Sequence, residues 1–259
     1  MKRKPQQRNT QQRRYSIMQL LQQHGEVSVE QLVKLFDTSE VTIRKDLAAL
    51  ESNGFLLRRY GGAILMPQDL IDDSQEEALS KQKLQIAKVA SERIREHNRI
   101  IVDSGRTTTA LIKQLNGKPG LVVMTNSLSV ATELRALEQE PTLLMTGGIW
   151  DPISESFQGK IAEQVLRSYD FDQLFIGADG IDLERGTTTF NELVGLSRVM
   201  SEVSREVIVM VESHKIGRKM PNIELTWEQI DVLVTDDLLP KDIKNMIEAH
   251  NVEVICVSA

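Results

Sequence analysis

The sequence predicts an α/β protein in two parts, an N-terminal winged helix-turn-helix and a larger domain built on a parallel sheet. Three observations predict it. Residues 28–65 hold two capped helical segments around a two-residue turn, then two short apolar-basic runs. From Lys81 onward, near-continuous apolar runs alternate with amphipathic segments, the pattern of strands covered on both faces. The charge divides where the pattern does: residues 1–67 carry eleven Lys/Arg and six Asp/Glu, and the remainder carries 20 and 31.

Residues 1–12 are polar, Gln-rich and without periodicity, and read as a disordered basic arm. The helix-turn-helix domain spans 13–67. Its first helix, Arg13 to His24, turns Ile17, Leu20 and Leu21 inward and stops at Gly25. Ser28 caps a second helix, Val29–Phe36, with Gln31 completing a capping box. After the turn at Asp37-Thr38, Ser39 caps a third helix with Ile43, Leu47 and Leu50 on one face, ended by Gly54. The runs Phe55–Tyr60 and Ala63–Leu65 fold back on Gly61-Gly62 as a hairpin wing. Residues 68–80, acidic and poor in aromatics, read as a linker.

The body, 81–259, alternates helix and strand: helix Lys81–Glu96, strand Arg99–Asp103, a helix near Thr107–Leu115, strand Leu121–Thr125, helix Ser127–Leu137 and strand Thr142–Thr146. Then come helix Gly159–Arg167, strand Leu174–Ala178, helix Glu192–Val203, strand Glu206–Val211, strand Asp231–Thr235, helix Lys241–Ala249 and strand Val252–Val257.

The third helix leaves Thr42, Arg44 and Lys45 on its outer face next to Ser39, and the wing carries Arg58 and Arg59. Small hydroxyls and long cations at the start of a recognition helix suit base edges and phosphates of double-stranded DNA. The wing arginines suit backbone phosphates or a narrow minor groove.

In an open α/β sheet, ligands bind past the carboxyl ends of the strands. There this sequence collects Asp103-Ser104-Gly105-Arg106-Thr107-Thr108, Asn126-Ser127, Gly147-Gly148, Asp179-Gly180, Asn191-Glu192 and Lys215. Hydroxyls and amides opening a helix suit a phosphate, and the set suits a small polar anion such as a sugar phosphate. Singly, each also fits plain structural work: Gly105 and Gly180 as loop glycines, Ser127 as a helix cap, Lys215 as a solvated lysine. No GxGxxG occurs, which argues against a dinucleotide.

One cysteine excludes an internal disulfide, and four scattered histidines without HExxH argue against a zinc centre. No apolar run reaches the roughly 18–20 residues that span a bilayer, and no signal-peptide pattern follows the basic start, so the chain reads as cytoplasmic.

The run SEVTIRKDLAALESNGFLLRRYGGA resembles the helix-turn-helix signature of DeoR-type bacterial transcriptional regulators. DSGRTT, VMTNS, Gly147-Gly148, FIGADGID, GTTTFNE and HKIGRK resemble their effector domain, which is similar in fold to ribose-5-phosphate isomerase. The resemblance implies a regulator, in most members a repressor, that binds operator DNA as a homodimer or homotetramer and takes a phosphosugar as effector, with no cofactor. It implies phosphate contacts from the Ser104–Thr108 turn and Lys215, and sugar contacts from Asn126, Asp179, Asn191 and Glu192. Arg106 stands where the family usually has Ser or Thr, and Glu212 and His214 replace the commoner Asp and Ser. Residues 143–200 look closest to regulators of hexosamine-phosphate and sorbitol operons, which points to glucosamine-6-phosphate. An isomerase-like enzyme carrying a DNA-binding head is the alternative reading.

Overall fold

The computed structural model describes residues 6–51, 56–65, 79–152, 154–191 and 193–258. The chain separates into two units, Met1–Glu77 and Ala78–Ala259. The Gly54 helix stop and residues 68–78 of the expected linker lie outside the described residues.

The first unit holds helix α1 (Gln6–His24), strand β1 (Glu26–Ser28), helices α2 (Val29–Phe36) and α3 (Glu40–Glu51), and strands β2 (Leu56–Arg59) and β3 (Gly62–Leu65). Helix α1 starts at Gln6, so it takes in seven residues expected to be a disordered arm. Gln and Arg are good helix formers, and once residues 13–24 are helical each further turn extends an existing nucleus. Ile17 and Leu21 of α1 pack with Leu32, Ile43, Leu47, Leu50 and Leu56 in one apolar cluster.

The capping box at α2 forms as read, with the Gln31 amide donating to Ser28 Oγ and the Ser28 amide to Gln31 Oε1, both at 3.1 Å. Asp37, at φ 45°, ends that helix in the left-handed region. One interaction escaped the sequence: Asp46, buried on the inner side of α3, accepts from Arg13 Nε at 2.5 Å and Arg14 Nε at 2.9 Å. A carboxylate withdrawn from water must be paired, and this one ties α1 to α3.

The wing is also more than a hairpin. Strand β1 pairs antiparallel with β3, giving the order β1-β3-β2. The turn is Tyr60-Gly61 rather than Gly61-Gly62, with Gly61 at φ 81°. Gly62 instead sits in β3, where an added Cβ would lie 2.2 Å from the Val27 carbonyl oxygen. That close approach of backbones is what glycine permits.

The second unit is a seven-stranded, all-parallel sheet. Its strands are β4 (Arg99–Val102), β5 (Val122–Thr125), β6 (Thr142–Met145), β9 (Phe171–Ile176), β12 (Ser204–Met210), β14 (Val232–Asp236) and β15 (Glu253–Val257), in the order β15-β14-β12-β9-β4-β5-β6. Alternation along each strand feeds two cores. On β4, Ile100 and Val102 join α4 (Lys81–Ser91), α5 (Arg106–Ile112) and α6 (Leu128–Arg135). Ile101 joins α7 (Lys160–Leu166), α8 (Gly195–Glu202) and α9 (Lys241–Glu248) on the other face.

Two small antiparallel sheets were not anticipated. One is the hairpin of β7 (Ile149–Asp151) and β8 (Ser156–Gln158); the other is β10 (Gly180–Asp182), β11 (Gly186–Thr189) and β13 (Asn222–Thr226). Their strands are three to five residues long, too short for a period to stand out.

Strand order reverses between β4 and β9. From β4 the chain builds outward through β5 to β6, then returns to β9 and builds the other way. The carboxyl ends of β4 and β9 therefore flank the switch point where such sheets open a crevice.

Gly62→Ala should destabilise the first unit by about 1–3 kcal/mol, as overpacking does, and leave the second unit unchanged. A calorimetric scan that resolves the two transitions checks this.

Candidate functional site

The first unit presents its predicted residues outward. Ser39, Arg44 and Lys45 are exposed and Thr42 is half-buried. Ser39 Oγ accepts from the Thr42 amide at 3.3 Å and lies 3.0 Å from its hydroxyl, so these two groups brace the start of α3. Arg44 rests against Glu40 at 3.4 Å, Arg58 against Glu51 at 2.5 Å, and Arg59 against Glu26. Lys45 has no partner among the described residues. Exposed pairs of this kind are worth about 0–1 kcal/mol. The glutamates are therefore held only weakly.

At the switch point of the second unit, Asp103 follows β4 and is buried. Its carboxylate accepts from Asn126 Nδ2 at 2.7 Å, while Asn126 Oδ1 accepts from the Ser104 amide at 3.1 Å. Burial pushes the Asp103 carboxyl up to about 6, opposed by the hydrogen bonds from Ser104 and Asn126. Asp179 lies close enough to repel it, and accepts from the Thr189 hydroxyl at 2.6 Å. A third carboxyl, Glu224 on β13, reaches the same place. Burial and then repulsion from Asp103 push it up to about 8, while Ser197 donates to it at 2.7 Å. Lys215 is buried rather than solvated, its Nζ 3.4 Å from the Ala178 carbonyl oxygen.

Other predicted residues are placed as follows. Thr108 is buried and donates to the Gly105 carbonyl at 2.8 Å, so its hydroxyl holds the turn. Ser104, Arg106 and Thr107 are half-buried around it and Gly105 is exposed. Ser127 caps α6, accepting from the Val130 amide at 3.4 Å. Gly180 is buried where an added Cβ would meet the Arg218 carbonyl oxygen at 2.5 Å; it allows close packing. Gly147 and Gly148, at φ 61° and 114°, lead into the β7–β8 hairpin. That hairpin is tied to the rim by the Phe157 amide donating to the Asn126 carbonyl at 2.8 Å. Asn191 reaches it too, with Nδ2 3.4 Å from Asp151 Oδ2. Glu192 lies outside the described residues.

Residues 79–237 match the model of the DeoR C terminal sensor domain, and residues 13–69 that of the DeoR-like helix-turn-helix domain. The chain belongs to the DeoR family. It is 41% identical over 255 residues, 96% of this chain and 94% of the other, to an Escherichia coli O157:H7 protein named for transcriptional repression of the aga operon. It is 31% identical over 234 residues, 88% and 90% of the two chains, to the transcriptional repressor AccR of Agrobacterium fabrum. Among solved structures, ribose 5-phosphate isomerase A of Methanocaldococcus jannaschii aligns over 56% of each chain, just over half that enzyme's length, at TM-score 0.39 and 17% identity. That likeness is too low to carry a functional argument. The chain is a DNA-binding transcriptional regulator rather than an enzyme.

Two parts of this DeoR-family crevice were missed in the sequence, Glu224 and Ser197, whereas the Thr187–Thr189 run that backs it belongs to the GTTTFNE stretch already singled out there. Glu224 belongs to NIELT, an alternating strand only five residues long, and that alternation was the available signal. Its neighbours arrive from α8 and β11, which no spacing in the chain announces.

The raised carboxyl of Glu224 has a consequence for stability. Its folded pKa lies above its unfolded value, so the folded chain holds a proton that the unfolded chain has released between about pH 4.5 and 8. Stability from this group is therefore lost as pH rises through that window. Glu224→Gln should flatten the fall in melting temperature between pH 5 and pH 8, and should melt higher than the parent at the upper end. Thermal scans of both proteins across that range check it.

Proposed function

We propose that this DeoR-family regulator represses a carbohydrate operon, binding operator DNA through α3 and the wing under control of a phosphosugar held in the crevice of its second unit. The carrying observation is the convergence of Asp103, Asp179 and Glu224 with the buried Lys215 at one switch point. Carboxylates take hydroxyl or ammonium donors from a sugar, and a buried lysine takes an anion. An amino-sugar phosphate answers both demands, and glucosamine-6-phosphate is the leading candidate. The name of the aga operon relative supports a sugar operon as target. Asn126, Asn191 and Glu192 are proposed on the sugar side, with the Ser104–Thr107 turn beside the phosphate.

The operator is read by a homodimer or homotetramer, because two recognition helices must sit roughly 34 Å apart to meet both half-sites. A ligand that prefers one arrangement of the paired heads alters operator affinity by its differential binding, in the range of about 1–3 kcal/mol.

Two kinds of substitution separate the roles. Arg44→Ala should cost about 1–3 kcal/mol of operator affinity, and Lys45→Ala should make the salt slope of binding shallower by about 0.9 for each phosphate the lysine neutralises. Both should leave the ligand response intact. Lys215→Ala should bind operator normally and lose that response. Gel shifts with and without a panel of hexose and hexosamine phosphates check all three. The effector assignment fails if Lys215→Ala responds as the parent does, or if no sugar phosphate shifts the melting temperature.

A further inference from the structure

At the opposite end of the sheet, where β4, β9 and β12 begin, the second unit holds a cavity of about 420 Å³. Arg99, Tyr169, Phe171, Asp172 and Arg205 line it, with Ser168 and Asp170 at the loop before β9. Arg99 is the first residue of β4 and Asp103 follows its last, so the cavity lies about 13 Å along the strand from the crevice. Nothing in the regulatory reading uses it.

Arg99 is the unusual group. Its guanidinium carbon sits 5.6 Å from the centre of the Tyr169 ring and 5.8 Å from that of Phe171. Its main-chain amide donates to Asp172 Oδ2 at 2.8 Å, which fixes the backbone beneath it. Yet its side chain makes no hydrogen bond or ion pair with any described residue, and its Nε is buried without an acceptor. Arg13 and Arg93, also part-buried, find carboxylates. A guanidinium offers five N–H donors in a fixed plane; here Nε is buried without an acceptor, and the four outer N–H groups remain to meet an incoming oxyanion. The aromatic faces hold the cation in place while it lacks that partner.

Arg205 completes the case. It is largely exposed and only 3.7 Å from Asp172, a loose pair that a stronger acceptor displaces. Asp172 stays satisfied by the Arg99 amide when Arg205 leaves. A cavity of this volume accepts a metabolite-sized molecule.

We propose that this cavity is a second ligand site, taking a small oxyanion, phosphate or carboxylate, on Arg99 and Arg205 with its carbon body against Tyr169. The site is independent of the crevice and stands whether or not a phosphosugar binds there.

Calorimetric titration of the full chain with inorganic phosphate, and separately with citrate, tests it. Wild type should take up one of these probes in a binding event that Arg99→Gln weakens at least tenfold. Arg99→Lys, which keeps the charge and loses the planar fork, should fall between. Uptake of phosphate alone marks a phosphate site, and uptake of citrate alone a carboxylate site. If Arg99→Gln does not fold, Arg205→Gln, altered at a more exposed position, carries the same comparison. The proposal is overturned if neither probe binds wild type, or if the folded variant binds both as wild type does.

Discussion

The hydrogen bond from Asn126 to Asp103 is the contact on which the sensing half depends. It joins the ends of β4 and β5 beside the switch point between β4 and β9. A carboxyl group there has little water, and burial raises its pKa towards neutrality. Asn126 and the Ser104 amide supply part of what solvent would have given. The same groups thereby set the path of the turn after β4, which the Gly105 carbonyl and the Thr108 and Thr109 hydroxyls complete. Asp179 adds negative charge to a site already short of solvent, and Glu224 adds a carboxyl that burial and that charge keep protonated near neutrality. Lys215, buried at the same switch point, gives the site a basic group beside its carboxyls.

The DNA-reading half solves the reverse problem. Its basic residues must stay available while the chain is folded and free. Arg44, Arg58 and Arg59 are held by glutamates on the surface, where an ion pair is weak. Arg13 and Arg14 are spent inside on Asp46, where an unpaired charge would be costly. Cations of one type thus divide by depth: the shallow ones keep weak, exchangeable partners, and the deep ones hold α1 against α3.

Much of this was legible in advance. The Ser28–Gln31 box, the inner face of α3 and the alternation of strand and helix after Lys81 each follow from local period or capping chemistry. Gly62 was misread because its sequence neighbour Gly61 made a plausible turn pair, whereas its real constraint is the Val27 carbonyl from a strand 35 residues earlier. Ser127 was read as either a cap or a ligand contact, and its bond to the Val130 amide shows that it does cap α6. Lys215 was read as solvated or bound, and its burial decides against solvent.

The sequence by itself determined what local chemistry can determine: where helices start, which faces are apolar, that basic and acidic residues belong to different halves, and which turns lie at strand ends. Only the tertiary structure decided which of those turns meet. The meeting of Asp103, Asp179 and Glu224 depends on strand order and on a small antiparallel sheet, and the lone guanidinium of Arg99 depends on which carboxylates the fold leaves out of its reach. The reason is physical. Capping and amphipathic period act over about four residues. The desolvation and repulsion that make these groups unusual act through space, between segments that the chain brings together only by folding.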